Sequence, residues 1–339
     1  MNARALDPLV QLLVPASLVV AVGVAASLAS RSNEIHFLNA IVAVAIVVAI
    51  YVFVGNSGVL SFGQISFVAV GAFAAGVLTV PALLKASVLP NLFPLLRDHS
   101  IGNVASLLLA AAVGGVIAFV VGLPLMRLSG LAAGIATFAV LEITHNLLRE
   151  WTRIGPGATT LSLVPETTGP LQATVGTLAV IVVAFAYGRS RLGRMLRATR
   201  EDPAAAQAAG IDVHRQRLWA FTVSGALAGF SGGLLVHMLG SITTEQVYLE
   251  LTFVTLAMLV VGGLTSLWGA VVGALAVSAV DSFLGEAEEG VNVGFTLDVP
   301  TGTRLVVVAA LMALVLVLRP SGLTGGREVR LPRRREAAA

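Results

Sequence analysis

The sequence predicts an all-α integral membrane protein, a polytopic helical bundle of roughly 8–10 spans with broken or re-entrant helices. Three observations carry that prediction. The chain of 339 residues is 57% hydrophobic and 12% charged, whereas a soluble domain carries roughly 25% charged residues, and its mean hydropathy is +0.92. Apolar runs of about span length recur from one end to the other. Of the 20 arginines (21 Lys and Arg less the single Lys85), 13 fall in two segments, 189–217 and 319–335, as expected for cytoplasmic loops under the positive-inside rule. The pI near 9.9 therefore reflects topology, and no nucleic-acid partner is expected. The absence of cysteine excludes disulfides, thiolate metal sites and a cysteine nucleophile.

The apolar runs lie at 9–29, 36–54, 59–80, 104–126, 131–148, 171–188, 217–240, 250–281 and 303–318. The first follows Arg4 and ends near a loose cleavage-like Ala-Ser-Leu-Ala-Ser at 26–30. Its apolar core is longer than the about 7–15 residues of a signal segment, so it reads as a retained first span. Placing both arginine segments in the cytoplasm puts both termini there and the loops 30–35, 81–103 and 151–170 outside the cell membrane. A single crossing by 250–281 would then strand Arg319 outside. Two legs resolve the conflict, 250–261 inward and 268–281 back, broken at Gly262-Gly263-Leu264-Thr265-Ser266-Leu267-Trp268-Gly269. The acidic 282–302 then lies outside. The domain organisation is a single transmembrane domain over 1–320 with a cytoplasmic loop at 189–217, followed by a basic cytoplasmic tail over 321–339.

A second glycine-rich stretch, Gly55 to Gln64, opens the third run. Irregular backbone at membrane depth must be covered by protein or line a wet cavity, and interrupted segments in separate halves point to a solute site. Close helix packing is the alternative. Candidate pathway residues are therefore Ser61, Gln64 and Ser66 in one break and Thr265 and Ser266 in the other. Thr137 in the fifth run joins them, with Glu142, His145, Asn146 and Arg149, which share one helical face. Ionisable groups inside spans face the bundle interior and mark function by default, although Glu142 and Arg149 also suit an interfacial pair. Gly225, Gly229 and Gly233 recur every fourth residue, marking a close helix crossing. His237 continues that stripe, either as a packed histidine or as a pathway residue.

The loop at 189–217 holds seven arginines against Glu201, Asp202 and Asp212. A short helix is predicted in its middle. Asp202 caps it, Pro203 takes the first helical position, Ala204–Ala209 favour helix and Gly210 stops it. Two turns are too few to stand alone in water, so the helix needs something to hold it. No Gly-x-x-x-x-Gly-Lys-Ser/Thr phosphate loop exists, because the one lysine is followed by Ala86. No His-Glu-x-x-His metal pair occurs either. The chain is not expected to be an enzyme, to bind a metal or to carry a cofactor.

Four stretches together resemble the permease subunit of bacterial branched-chain amino acid ABC importers, the LivM type: GNSGVLSFGQISFVAVGAFAAG (55–76), RLSGLAAGIATFAVLEI (127–143), SRLGRMLRATREDPAAAQAAGIDVHRQRLWAFTVSGALAGFSGGL (190–234) and VGGLTSLWGAVVGA (261–274). The resemblance implies two ATP-binding partner subunits that hold ATP and magnesium, a second, LivH-like permease and a solute-binding protein. It also implies that Arg200, Glu201, Asp202, Pro203, Ala206, Gly210 and Ile211 couple this chain to the ATPase. Arg153-Ile154-Gly155-Pro156-Gly157-Ala158 departs from the family's Thr-Gly-Gly-x-x-Gly segment, which leaves the solute open between branched-chain or other amino acids and urea or short amides. The competing reading is a stand-alone carrier using Glu142 and His145 as a proton-responsive pair.

Overall fold

The computed structural model describes residues 3–288 and 302–329. Glu289, Asp298 and the arginines of 330–335 lie outside the described residues. Among the described residues, eight helices are long and apolar enough to cross a membrane, and the protein is a multi-pass helical membrane protein.

Helix α1 (Ala3–Leu28) turns at Ala29-Ser30 into α2 (Arg31–Ser57). The expected outer loop at 30–35 is instead the start of α2, where Glu34 in the first turn suits the positive end of the helix dipole. α2 is apolar all round, and from Ala40 to Ser57 it is almost wholly buried, as such a helix must be. α1 is the opposite case, with Leu9, Leu13, Val24 and Leu28 exposed. The helices over Ala3–Leu28, Pro170–Arg189, Val213–Leu239, Leu249–Gly262 and Leu267–Glu288 pack against α2.

The third run is not a full helical span. Gly58, with φ of +70°, caps α2 by donating its N–H to the Val54 carbonyl at 3.0 Å. The chain then runs irregularly through 59–63, and α3 starts only at Gln64 (Gln64–Thr79). After α3 the chain bends by 119° into α4 (Ala82–Val88). α4 and α5 (Pro94–Arg97) form a cap held by Lys85, which is fully buried and donates to the carbonyls of Leu96 (2.8 Å) and His99 (2.6 Å).

α6 (Asn103–Leu125), α7 (Gly130–Glu150) and α8 (Pro170–Arg189) follow as full-length helices. The connection between α7 and α8 lies along the end of α11 (Val213–Leu239), with Leu161 and Ile242 exchanging backbone bonds at 2.9 Å. α11 crosses α6 and α3 at the predicted glycine stripe. A methyl at Gly229 would sit 3.2 Å from Gly114 Cα and closer still to the Ala110 carbonyl oxygen, and Gly225 abuts Ala118. Gly71 on α3 and Gly114 on α6 complete the crossing.

The run 250–281 is two helices, α12 (Leu249–Gly262) and α13 (Leu267–Glu288), paired through Gly262, Gly269 and Gly273. α14 (Thr303–Leu318) returns alongside them. Two expectations change here. α13 continues through 282–288, since alanine and glutamate favour helix. The turn at 263–266 sits at the arginine-bearing face and not at mid-depth. There Leu323 and Thr324 donate backbone bonds to the carbonyls of Val261 (2.8 Å) and Gly262 (3.2 Å). The start of the tail is therefore part of the fold.

Candidate functional site: the basic loop and the interrupted span

Between α8 and α11 the basic loop folds as two helices. α9 (Arg191–Glu201) is capped by Ser190, whose Oγ accepts from Gly193 N. It was not expected, although Leu192, Leu196 and Thr199 at i, i+4 and i+7 carry its signal, and Leu196 and Thr199 are buried. α10 (Pro203–Ala208) follows the predicted grammar. Asp202 Oδ1 accepts from Ala204 N (2.9 Å) and Ala205 N (3.0 Å), Pro203 opens the helix and Gly210 adopts φ of +80°. The Ile211 N–H donates back to the Ala206 carbonyl at 3.0 Å. Only Ala206 of α10 is buried, while Glu201, Asp202, Pro203 and Gly210 are exposed.

Arg200 does not point outward with them. Its Nη1 donates to the Gly55 carbonyl at 2.8 Å, its Nη2 pairs with Glu201 at 2.6 Å, and its stem fills the space beside Gly58. One turn earlier, Arg197 Nη1 donates to Asn56 Oδ1 at 2.9 Å. Two arginines of α9 thus hold the last turn of α2, immediately before the interrupted span.

Beyond that turn, Gly58 and Leu60 are exposed, and the chain becomes buried from Ser61 onward except for the half-buried Phe62. Phe62 N donates to Thr137 Oγ1 at 3.2 Å, which places Thr137 against the break. Ser224 Oγ is 2.7 Å from the Ala49 carbonyl and 3.1 Å from Gln64 Oε1. Ser61 Oγ, Gln64 Nε2 and Ser66 Oγ are buried without a hydrogen-bond partner. Buried polar atoms of this kind are uncommon in native folds and call for a reason. They gather where α3 begins, at the positive end of its dipole.

The second break is built differently. Ser266 Oγ accepts from Gly269 N (2.7 Å), Thr265 Oγ1 donates to the Gly326 carbonyl (3.1 Å), and Glu328 accepts from Leu267 N (2.6 Å) and Trp268 N (3.3 Å). Thr265 and Ser266 therefore tie the tail to the start of α13, at the basic face. Burial pushes the Glu328 carboxyl above the ordinary carboxylate range, opposed by the two backbone donors and by Arg197.

The polar face of α7 meets the turn just before α12, residues 245–248. Tyr248 donates to Glu142, Asn146 Nδ2 bonds the same carboxylate at 2.7 Å, and His145 stacks on the Tyr248 ring at 3.9 Å. Arg149 turns to Glu245 and Glu150, at 3.9 and 4.0 Å, and not to Glu142. Glu245 reads from the sequence as a mouth or solvated-loop residue, whereas Tyr248 escaped because it lies 106 residues from Glu142. His237 is fully buried between the Gly233 carbonyl (2.8 Å) and Thr79 Oγ1 (3.1 Å), which accounts for it as a packed histidine. One string, Gly229-Phe230-Ser231-Gly232-Gly233, has the Gly-x-Ser-x-Gly spacing of a nucleophile elbow. It lies inside α11 with no strand before it, and Ser231 Oγ donates to the Leu227 carbonyl at 2.8 Å, so the elbow geometry is missing.

Residues 34–316 match the family model described as the permease component of branched-chain amino acid transport systems. The chain belongs to that family. The permease protein LivM of the high-affinity branched-chain amino acid transport system of Salmonella typhimurium is 27% identical over 80% of this chain and 65% of its own length. A probable branched-chain amino acid permease, LivH of Methanocaldococcus jannaschii, is 32% identical over 40% of this chain and 42% of its own. The autoinducer 2 import permease LsrC of an Enterobacter strain is 26% identical over 53% of this chain and 55% of its own. The chain spans 65% of the length of the LivM relative. No solved structure matches it.

Proposed function

We propose that this chain is one permease subunit of an ATP-driven importer in the cytoplasmic membrane, moving a small polar solute, foremost an amino acid. The arginine-bearing face and both termini are cytoplasmic in this reading. The observation that carries it is α10, a capped two-turn helix standing exposed on the basic face and joined through Arg197 and Arg200 of α9 to the interrupted span. A helix so short needs a holder, and an ATP-binding partner subunit is the holder proposed. The complex would contain two such subunits, a second LivH-like permease and an external solute-binding protein.

The mechanism follows from the contacts. Closure of the ATPase pair moves α10 and α9 together. Arg200 and Arg197 transmit the displacement to Gly55 and Asn56 at the end of α2, and the irregular 59–63 takes up the change. A two-state element requires contacts that differ between its states, and the arginine bonds to Gly55 and Asn56 supply them.

The test is uptake and ATP hydrolysis in membranes holding the complex, with Gly210→Pro and Arg200→Glu. A proline cannot adopt φ of +80°, and glutamate reverses the contact with the Gly55 carbonyl. Both variants are expected to accumulate normally and to hydrolyse ATP without uptake. Coupled uptake at the parent rate in both would overturn the assignment. Solute uptake driven by a proton gradient with ATP depleted would instead favour a carrier working through Glu142 and His145.

A further inference from the structure

At the arginine-bearing face, the end of α6 and the start of α11 leave an open recess of about 480 Å³ between them. Its base is fastened without charge, since His214 Nδ1 lies 2.9 Å from the Met126 carbonyl oxygen. Arg127 and Arg215 line the recess, both exposed and neither in an ion pair among the described residues. Other arginines of this face are engaged. Arg197 and Arg200 hold the end of α2, and Arg217 Nη1 reaches the Leu128 carbonyl at 3.4 Å. Leu123, Met126 and Leu218 form the apolar wall. One turn deeper along α11, Trp219 packs on Phe119 with ring centroids 6.2 Å apart, and the two residues stay 39% and 36% exposed.

We propose that this recess binds a phospholipid with an anionic headgroup, drawn from the leaflet at that face. Its phosphodiester lies between Arg127 and Arg215, and an acyl chain runs along Leu123 and Trp219. A guanidinium fork matches phosphate oxygens two at a time, and basic pockets between helices at a membrane surface seat anionic headgroups. Tryptophan at headgroup level is the usual aromatic anchor. Asp212 also lines the recess, so its charged side chains sum to +1, two arginines less one carboxylate, with His214 counted neutral. That balance suits the single negative charge of a phosphodiester. A phosphate monoester, with a charge of about −1.5 to −2, would set its surplus against Asp212. A choline lipid would bring a cation back to the arginines, and a soluble anion would leave the apolar wall to water. Asp212 also caps α11 by accepting from Arg215 N at 3.1 Å, and it follows closely on α10. A lipid seated here therefore steadies the foot of the exposed α10. The site does not depend on what the chain transports.

The full chain, purified in a mild uncharged detergent, is titrated with three probes while native mass spectrometry counts the bound molecules. The probes are phosphatidylglycerol, phosphatidylcholine with the same acyl chains, and glycerophosphoglycerol, which is the first headgroup without chains. Three proteins are compared: the parent, Arg127→Gln with Arg215→Gln, and Arg191→Gln with Arg194→Gln. The last pair removes the same charge from exposed positions on α9 that do not line the recess. The parent is expected to bind phosphatidylglycerol about tenfold or more tighter than phosphatidylcholine, and glycerophosphoglycerol at least about tenfold more weakly than the intact lipid. The recess pair should lose the headgroup preference and the α9 pair should keep it. Equal binding of the two lipids by the parent overturns the site. An equal loss in both double variants does so too, because the attraction is then spread over the basic face. Glycerophosphoglycerol bound as tightly as the lipid overturns the lipid assignment in favour of a soluble phosphodiester. The headgroup and chain comparisons are made on the parent, so they decide the matter even where a variant does not fold.

Discussion

The glycine crossing of α11 and the interrupted span before α3 both bring backbones close together in lipid, and they do so in opposite ways. At Gly225, Gly229 and Gly233 side chains are deleted, so α11 lies directly on α6 and α3 with every backbone group still inside a helix. At 58–63 the helix itself is abandoned; Phe62 N is met by Thr137, and just before the break Arg200 takes the Gly55 carbonyl and Arg197 the Asn56 side chain. The first arrangement has one packed state. The second leaves Ser61, Gln64 and Ser66 buried and unpartnered, so a second arrangement that satisfies them is worth free energy. Rigidity at the crossing and bistability at the break are complementary, since a movable segment needs a fixed wall to move against.

The largest effect is expected where that wall is filled. Gly229→Leu would drive a branched side chain into the Ala110 carbonyl and Gly114. Overpacking costs about 1–3 kcal/mol or more where backbone must shift, and here two helices would have to separate. Loss of folded protein in a detergent thermal-stability assay is the expected outcome. Retention of the parent melting temperature would mean that the crossing tolerates separation.

Next in size is the transmission. Arg200→Ala removes a charge-assisted bond to a backbone carbonyl, worth about 1.5–3 kcal/mol, yet leaves α9 and α10 in place. Coupled uptake should fall by about tenfold or more while the melting temperature moves little. Arg197→Ala, which loses the bond to Asn56, should act in the same direction. Unchanged uptake in both would move the coupling away from the end of α2.

Much of this architecture can be read directly from residues. Asp202, Pro203 and Gly210 spell out α10, and the fourth-residue glycines spell out the crossing, because both rest on local geometry. Apart from α9, whose local i, i+4, i+7 signal went unread, what escaped rests on distant pairs. Glu328 caps α13 from 61 residues away, and Tyr248 reaches Glu142 across 106. No periodicity announces either. The destination of Arg200 was hidden for a related reason, since an arginine in a polar loop reads as solvated until the Gly55 carbonyl is seen beside it.

Glu328 allows a smaller test by pH. Its carboxyl titrates above the ordinary carboxylate range because of burial. The folded state therefore holds the proton where the unfolded chain has released it. Its contribution to stability is full below the ordinary carboxylate value and declines as pH rises through the raised one. Glu328→Gln should flatten the melting temperature across that window, and a slope identical to the parent's would place the titrating group elsewhere.

The finest contrast lies within the break itself. Ser224 bridges the Ala49 carbonyl and Gln64, so Ser224→Ala should cost about 1 kcal/mol. Ser66 is just as buried but has no partner, so Ser66→Ala should change stability by less than about 0.5 kcal/mol and could raise it. If Ser66 finds its partner only in another state of the span, or in a passing solute, the alanine will instead lower the uptake rate. A variant as stable as the parent but slower in transport would tie the unpartnered hydroxyl to function. Equal stability with equal transport would leave it a tolerated defect of packing.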